Sequence, residues 1–177
     1  MATIDEFKAQ LIAGGPRANR FRVFIPRAGN KIEFLCQAAQ IPAMTVGQVT
    51  VPFRGMNLKL AGDRTFEPWA VTVINDVEFS VRNAMEQWQL DISQLDSGIG
   101  ATNNDYLLSR AFVEQLNKDD TVLARYEFFN MFPQSIGAIE LNMGTADEVE
   151  TFEISFDYSH CERVIYLTVN CNPFRVV

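Results

Sequence analysis

The stretch from Ala61 to Asp76, AGDRTFEPWAVTVIND, decides the fold of this chain. It begins with a predicted turn, because Gly62 tolerates unusual backbone angles and Asp63 can hydrogen-bond to its own backbone. Residues 69–74, WAVTVI, are mostly aromatic or β-branched, and a run that is apolar on both faces predicts a strand covered on both sides. The polar pair at 75–76 ends that strand and precedes a helical pattern. A turn, a central strand and a helix start therefore lie within one short stretch.

Length, composition and charge narrow the class of protein. The chain has 177 residues, of which 47% are hydrophobic and 21% charged, as in a globular domain with a packed core. A net charge of −7 argues against a protein that holds nucleic acid by its phosphates, although DNA could pass it without specific binding. No apolar run approaches the roughly 20 residues that cross a bilayer. The N-terminus does not resemble a signal peptide, so we expect synthesis in a cytoplasm.

The sequence offers no defensible reactive site. Cys36, Cys161 and Cys171 are odd in number and lack framework spacing, which favours small buried hydrophobes. The single histidine, His160, precedes Cys161, but adjacent residues of a strand point to opposite faces and cannot form a nucleophilic dyad. There is no CxxC clamp and no phosphate-binding or nucleophile-elbow motif. We therefore expect no catalytic residue, no metal site, no cofactor and no enzymatic activity.

Residues 41–62 form an apolar segment with two prolines, three glycines and no acidic residue. Alternating apolar residues predict extended backbone, yet the prolines and glycines disfavour a long central strand. One interpretation is an arm that docks on another subunit; the other is a hairpin folded back on its own sheet. The candidate contact residues are Val46, Val49, Val51, Phe53, Arg54, Met56, Leu58, Lys59 and Arg64. Their three cations suit an acidic surface on a second copy.

A helix is predicted after the central strand, with Asn75 and Glu78 at the spacing of a capping box. Its apolar stripe comprises Val77, Val81, Met85, Trp88 and Ile92. A stripe with this spacing most often packs on a core. Near the N-terminus, residues 20–27 and 31–37 alternate like the two strands of a hairpin.

The clearest strand pattern spans residues 148–158, where large apolar side chains alternate with small or acidic ones. The polar face comprises Thr151, Glu153, Ser155 and Asp157, and suits solvent or a water-filled channel equally well. A predicted hairpin, 106–116 with 121–130, carries Arg125 and Glu127 on one face of its second strand. Residues 160–177 contain a further strand pattern and form a predicted C-terminal extension.

Several of these segments resemble the tail tube proteins of T4-like contractile phages. The most specific match is AGDRTF at 61–66, followed by an acidic residue, Trp69, VTV at 71–73 and the polar pair at 75–76. Further landmarks agree in order, and they are NRFRV at 19–23, FLC at 34–36, IPA at 41–43 and PQSIGAIELNMGTADEVETFEISF at 133–156. The resemblance covers nearly the whole chain except its C-terminal end.

The resemblance implies a mainly β (α+β) fold, a tail-tube β-barrel or sandwich with a flanking helix and a long extended inter-ring loop. One tail tube domain would span residues 1–177, with the arm at 41–62 packing on the adjacent ring. Hexameric rings would join their sheets into a continuous β-barrel around a lumen. The lumen-facing candidates are Arg125, Glu127, Thr151, Glu153, Ser155 and Asp157.

The implied partners are further copies of the chain, the sheath protein, the baseplate tube initiator, the tail terminator and a tape measure protein in the lumen. The protein would reside in the virion tail after assembly in the host cytoplasm, and DNA would pass through during ejection. Two alternatives stay open. One is the tube of a phage-derived secretion or bacteriocin-like injection system. The other is a monomeric β-sandwich binding module whose ligand loop is the 41–62 segment.

Overall fold

The computed structural model describes residues 3–10, 15–29, 31–95, 98–144 and 148–164. The helices are α1 (Ile4–Gln10), α2 (Lys31–Leu35) and α3 (Ser80–Ile92), and Pro26–Ala28 form a 3-10 turn. The strands are β1 (Phe21–Phe24), β2 (Cys36–Ala39), β3 (Met44–Phe53), β4 (Met56–Phe66), β5 (Trp69–Ile74), β6 (Ala111–Leu116), β7 (Val122–Phe129), β8 (Phe132–Ile136), β9 (Thr151–Asp157) and β10 (His160–Val164). The mainly β prediction is confirmed.

The strands form two four-stranded antiparallel sheets and a separate hairpin. Sheet A has the order β1-β6-β7-β10, and sheet B has the order β2-β5-β9-β8. The remaining pair, β3 with β4, stands apart as a two-stranded ribbon. The predicted hairpin of residues 106–130 is confirmed as β6 and β7. Sheets A and B face each other through their buried side chains, so the described part of the chain contains a β-sandwich.

Strand β5 lies inside sheet B, between β2 and β9, as its sequence predicts. Trp69, Val71 and Val73 are buried, while the alternate residues of β5 are half-buried. The Trp69 ring stacks on Phe128 of sheet A at 4.3 Å between centroids, and its Nε1 donates a hydrogen bond of 2.7 Å to the Gln40 carbonyl oxygen. The indole therefore joins the two sheets and satisfies its polar atom, which a buried tryptophan requires.

Helix α3 closes the sandwich beside β8 and β9. Val81, Met85 and Trp88 are buried, and Ile92 packs against the core from a half-buried position. The prediction for Val77 is wrong, because this residue precedes the helix and is fully exposed. The Asp76 carboxylate accepts hydrogen bonds from the Ser80 backbone N–H (2.8 Å) and hydroxyl (2.6 Å). These bonds fix the helix start at Ser80, and the predicted Asn75 and Glu78 capping box does not form.

The predicted hairpin of residues 20–37 is also wrong. Strand β1 pairs with β6 in sheet A, whereas β2 pairs with β5 in sheet B. Between them, Pro26 starts a 3-10 turn and residues 31–35 form α2. Ile25 and Ile32 are completely buried in this connection. The alternation that resembled a second strand thus belongs to a segment that crosses from one sheet to the other and fills the core on the way.

The two ends of the described chain are a short helix and an edge strand. Thr3 and Glu6 form a capping box at the start of α1, with the Glu6 carboxylate accepting from the Thr3 N–H at 2.8 Å and the Thr3 hydroxyl accepting from the Glu6 N–H at 3.3 Å. At the other end, β10 is an edge strand of sheet A, paired with β7. Residues 165–177, most of the predicted C-terminal extension, lie outside the described residues.

Candidate assembly surfaces

The 41–62 segment forms most of an exposed hairpin, which we call the arm and define as β3 and β4 (residues 44–66). Every residue of β3 is exposed, and in β4 only Gly62 and Phe66 are half-buried. The hairpin therefore does not fold back on its own sheet. Three cross-strand pairs make one face of its outer half apolar: Val49 with Leu60, Val51 with Leu58, and Phe53 with Met56. The opposite face pairs Thr50 with Lys59 and Pro52 with Asn57.

A bulge divides the arm into a base, residues 44–46 with 64–66, and a tip, residues 48–61. The register shifts between Val46 and Gln48, where two residues of β4, Gly62 and Asp63, oppose the single Gly47. A Cβ on Gly62 would lie 3.2 Å from the Gly47 carbonyl, so the glycines allow a backbone approach that a larger residue would push apart. Because side chains alternate along a strand, the extra residue moves the apolar side chains of β4 to the other face of the arm.

The bulge has a consequence for packing. Below it, Phe66 packs on the core, with its ring 5.8 Å from that of Tyr158. Beyond the bulge, Leu58 and Leu60 lie on the face opposite to that of Phe66, because the extra residue in β4 reverses the alternation. The base therefore packs its apolar face on its own sandwich, while the apolar face of the tip is on the opposite side of the arm and is exposed.

The outer face of sheet B carries small and acidic side chains. Phe152, Ile154 and Phe156 are buried, so the alternate residues of β9 point away from the core. This outer set comprises Thr151, Glu153, Ser155 and Asp157. The neighbouring strands place small residues beside it, with Thr72 opposite Glu153 and Ala70 opposite Ser155. The alternation predicted for residues 151–157 is confirmed.

The outer face of sheet A differs in chemistry, because it carries a chain of alternating charges. Arg22 contacts Glu33 at 3.0 Å and Glu114 at 3.8 Å. Arg125 contacts Glu114 at 3.3 Å and Glu127 at 3.0 Å. The Glu114 side chain is only 5% exposed, so each arginine compensates a carboxylate that has left water. No sequence pattern singled out Glu114, because the two arginines that contact it come from two other strands, β1 and β7.

Aromatic rings complete this face of sheet A. Phe24 stacks on Phe112 at 5.1 Å between centroids, and the Arg125 guanidinium lies 3.6 Å from the Phe112 centroid. At the far edge, His160 stacks on Phe129 at 4.6 Å. Arg125 is therefore held in place by two carboxylates and a ring.

The two sets of lumen candidates thus lie on opposite sides of the sandwich. The 151–157 set belongs to the outer face of sheet B, and Arg125 with Glu127 belongs to the outer face of sheet A. The stacked rings of Trp69 and Phe128 lie between these faces. The two sets therefore do not share one surface of the subunit.

The described cysteines have the character of packing residues. Burial raises the pKa of the Cys36 thiol to about 12 and also raises the pKa of Cys161, which keeps both in the unreactive thiol form at neutral pH. Cys161 is buried while His160 stacks outside on Phe129, which confirms that the two point to opposite faces. Cys171 lies outside the described residues. Within the described ranges, no three His, Cys, Asp or Glu side chains gather as metal ligands, and no helix has the length and apolar character to cross a membrane.

The family model described as "Phage tail tube protein" matches residues 12–163. The chain belongs to the phage tail tube protein family.

Relatives of this tail tube chain include the tail tube protein gp19 of Enterobacteria phage T4. It is 32% identical over 148 residues, which cover 82% of this chain and 90% of the relative. The tail tube protein of Serratia phage KSP90 is 30% identical over 168 residues, covering 89% and 95%. Among solved structures, a chain of the sheath-tube complex of an extracellular contractile injection system in its extended state matches with a TM-score of 0.56. That match has 14% identity and covers 93% of this chain and 99% of the other, so it shows a shared fold.

Proposed function

We propose that this tail tube protein is a structural subunit of the inner tail tube of a contractile phage and has no enzymatic activity. Hexameric rings stack around a lumen that holds the tape measure protein during assembly and conducts DNA during ejection. The single observation that carries this proposal is membership of the tail tube family over residues 12–163. The exposed apolar arm supports it, since such a surface on a permanent monomer would be an aggregation hazard.

Strand direction in the sheets fits closure into a ring. All neighbouring strands of sheet B are antiparallel and their number is even, so the edge strands β2 and β8 run in opposite directions. In a ring with rotational symmetry, β8 of one copy then meets β2 of the next copy in antiparallel orientation. Closure of this kind removes both free edges. Sheet A has the same alternation, so the choice of the lumen wall rests on side-chain chemistry.

We place the outer face of sheet B toward the lumen. Glu153 and Asp157, among small neighbours, give a wall that repels phosphate and offers few holds to passing DNA. The outer face of sheet A offers arginine and stacked aromatic rings, which are the groups that bind phosphates and bases. Arg125 and Glu127 are therefore assigned to the outside of the barrel wall.

Further partners follow from the same proposal. They are the sheath protein around the tube, the baseplate tube initiator, the tail terminator and the tape measure protein. The solved sheath-tube complex with a similar fold supports a sheath partner. The relatives at 30–32% identity are phage tail tube proteins, which favours a phage tail in the virion over an injection system without DNA.

Electron microscopy of the concentrated protein tests the assembly. Rings or tubes with a central hole are expected, with or without added tube initiator. A protein that remains a monomer after the initiator is added would contradict the proposal and favour the monomeric binding module.

The lumen assignment needs a separate test in the phage. Replacing Glu153 and Asp157 by lysine should slow genome delivery, because a cationic wall retains DNA. The control is Glu162→Lys, an exposed glutamate on the edge strand of sheet A. Unchanged delivery in Glu153→Lys, Asp157→Lys tubes that assemble normally would place the lumen elsewhere.

A further inference from the structure

Strand β10 covers only part of its neighbour β7 in sheet A. Strand β7 runs from Val122 to Phe129, and β10 pairs with it from Phe129 back to Arg125. The last pair of this register is Val164 with Arg125. On its other side, β7 pairs with β6 as far as Val122. Residues 122–124 therefore have a strand on one side and, within the described part of the chain, an open edge on the other.

This open edge of β7 carries exposed apolar side chains. Val122 is 37% exposed and Leu123 is 45% exposed, whereas Phe128, at the covered end of the same strand, is fully buried. Leu123 also has no partner residue in β6, because the register of that pair shifts beside it. An apolar strand edge of this kind is a site to which a further strand can add.

The chain continues from β10 directly toward this edge. Strand β10 ends at Val164 and is antiparallel to β7, so the next residues of an unbroken strand pass Ala124, Leu123 and Val122 in turn. Residues 165–177 lie outside the described part of the chain and beyond residue 163, where the match to the family model ends. The open edge and the remaining chain thus meet at the same point.

The first residues of that segment have the composition of a strand. None is charged, and all but one are β-branched or aromatic: Ile165, Tyr166, Leu167, Thr168 and Val169. Residues 170–173, NCNP, end the pattern, because asparagine and proline are depleted in strands. The strand-forming stretch is therefore long enough to cover the three open residues of β7.

We infer that residues 165–167 lengthen β10 and cover the open edge of β7 in their own subunit. In this register Ile165 lies beside Ala124, and Tyr166 lies beside Leu123. Tyr166 and Leu123 are each two residues from the pair Val164 with Arg125, so they share its face of the sheet. An aromatic ring beside a leucine is a favourable cross-strand pair. The inference concerns the single subunit and goes beyond the proposed tube.

Hydrogen exchange of the natural chain tests the contact without any substitution. In dissociated subunits, the backbone amides of residues 165–167 should exchange roughly tenfold more slowly, or slower still, than in a free peptide of the same sequence. Exchange at the rate of the free peptide would overturn the inference.

A truncated chain that ends at Val164 supplies the matching comparison. Residues 122–124 should exchange roughly tenfold faster in this chain than in the full chain, because their edge is open again. Residues 126–128 are the internal control, since β10 covers them in both chains. Equal exchange of residues 122–124 in the two chains would contradict the contact.

Proline substitutions test whether the contact is a strand pairing. Consecutive N–H groups of a strand point alternately toward the neighbouring strand and away from it, so only one of Ile165→Pro and Tyr166→Pro removes a bond to β7. That variant should match the truncated chain at residues 122–124, and the other should retain more protection. The control is Val176→Pro, outside the strand-forming stretch, which should behave like the parent. Parent-like exchange in all three variants would argue against the pairing.

Cysteine cross-linking distinguishes the subunit's own edge from that of another copy. The background carries Cys36→Ser, Cys161→Ala and Cys171→Ser, and the test pair is Leu123→Cys with Tyr166→Cys. Directly opposed residues have Cβ atoms about 4.5–5.5 Å apart, close enough for a disulfide to form after a small adjustment. Mild oxidation should therefore link the two thiols within a monomer.

The control pair is Leu123→Cys with Val169→Cys, which places the second thiol about 10 Å further along the strand and out of reach. A disulfide-linked dimer from the test pair would mean that the segment adds to another copy, which overturns the inference. Absence of any disulfide in a variant whose circular dichroism matches that of the parent would overturn it as well.

This inference and the proposed function fail separately. A chain that forms tubes while residues 165–167 exchange like a free peptide retains the proposed function and loses the lengthened β10. A chain that never forms tubes, even with tube initiator, loses the proposed function, and the exchange of its dissociated subunits still decides the position of residues 165–167.

Discussion

Strand β5 and the tip of the arm have similar apolar compositions but opposite environments. Val71 and Val73 of β5 are fully buried, whereas Val49 and Val51 of the arm are 50% and 42% exposed. The difference lies in what covers each strand. Strand β5 has a neighbour on each side and sheet A above it, while β3 has only β4. The comparison teaches that apolar alternation specifies a strand but not whether its own chain or another copy buries it.

A substitution in the core, at the start of β5, should have the largest effect on stability. Trp69→Ala removes an indole that stacks on Phe128 and donates a hydrogen bond to Gln40. The free energy of unfolding should therefore fall by about 3–5 kcal/mol. Urea denaturation followed by fluorescence or circular dichroism measures this loss. The matched control is Val51→Ala in the arm. An equal loss for both variants would mean that the arm is as much a part of the folding core as β5.

The charge network on sheet A should give the next largest effect. Glu114→Ala leaves Arg22 and Arg125 without their shared carboxylate, and we expect a loss of about 2 kcal/mol, reduced from the fully buried case because both arginines retain some contact with water. The control is Glu86→Ala, which breaks the exposed pair with Arg82 and should cost only about 0.3–0.5 kcal/mol. Thermal denaturation measures both losses. Similar values for Glu114→Ala and Glu86→Ala would show that the burial of Glu114 does not increase the contribution of its ion pairs to stability.

The start of α3 should give a smaller, pH-dependent effect. Hydrogen bonds from Ser80, assisted by Lys31, lower the pKa of Asp76 in the folded protein. A carboxyl whose pKa is lower in the folded state stabilises the fold above its unfolded pKa, and this contribution is lost as the pH falls through the folded value. Asp76→Asn should therefore melt below the parent protein at neutral pH. The two melting temperatures should converge in acid, and a gap that widens there would contradict this assignment.

The arm should give the smallest effect on the stability of the monomer. Val51→Ser with Leu58→Ser changes side chains that are 42% and 57% exposed, so the free energy of unfolding should stay within about 0.5 kcal/mol of the parent value. Tube growth should nevertheless fail, because the apolar face of the tip is lost. Denaturation and electron microscopy of the same preparation separate the two outcomes. A large loss of monomer stability would remove the contrast between arm and core.

Local patterns predicted the elements whose determinants are close in the chain. The alternation of residues 151–157 gave the buried and exposed faces of β9, and residues 106–130 gave the hairpin of β6 and β7. The helical spacing of Val81, Met85 and Trp88 identified three buried contacts of α3. It failed at Val77, because hydrogen bonds from Ser80 to Asp76 start the helix after that residue. Periodicity records spacing and does not show where a cap stops the pattern.

The sequence by itself determined the mainly β character, the exposed arm as one of two possibilities, and the likeness to tail tube proteins. These properties rest on local alternation, composition and short motifs, which a single chain displays directly. Only the tertiary structure assigned β1 and β2 to different sheets, buried Glu114 between two arginines, and put the two sets of lumen candidates on opposite faces. Each of these depends on contacts between residues distant in the chain, and such contacts are fixed by which strands pair and by how the sheets pack.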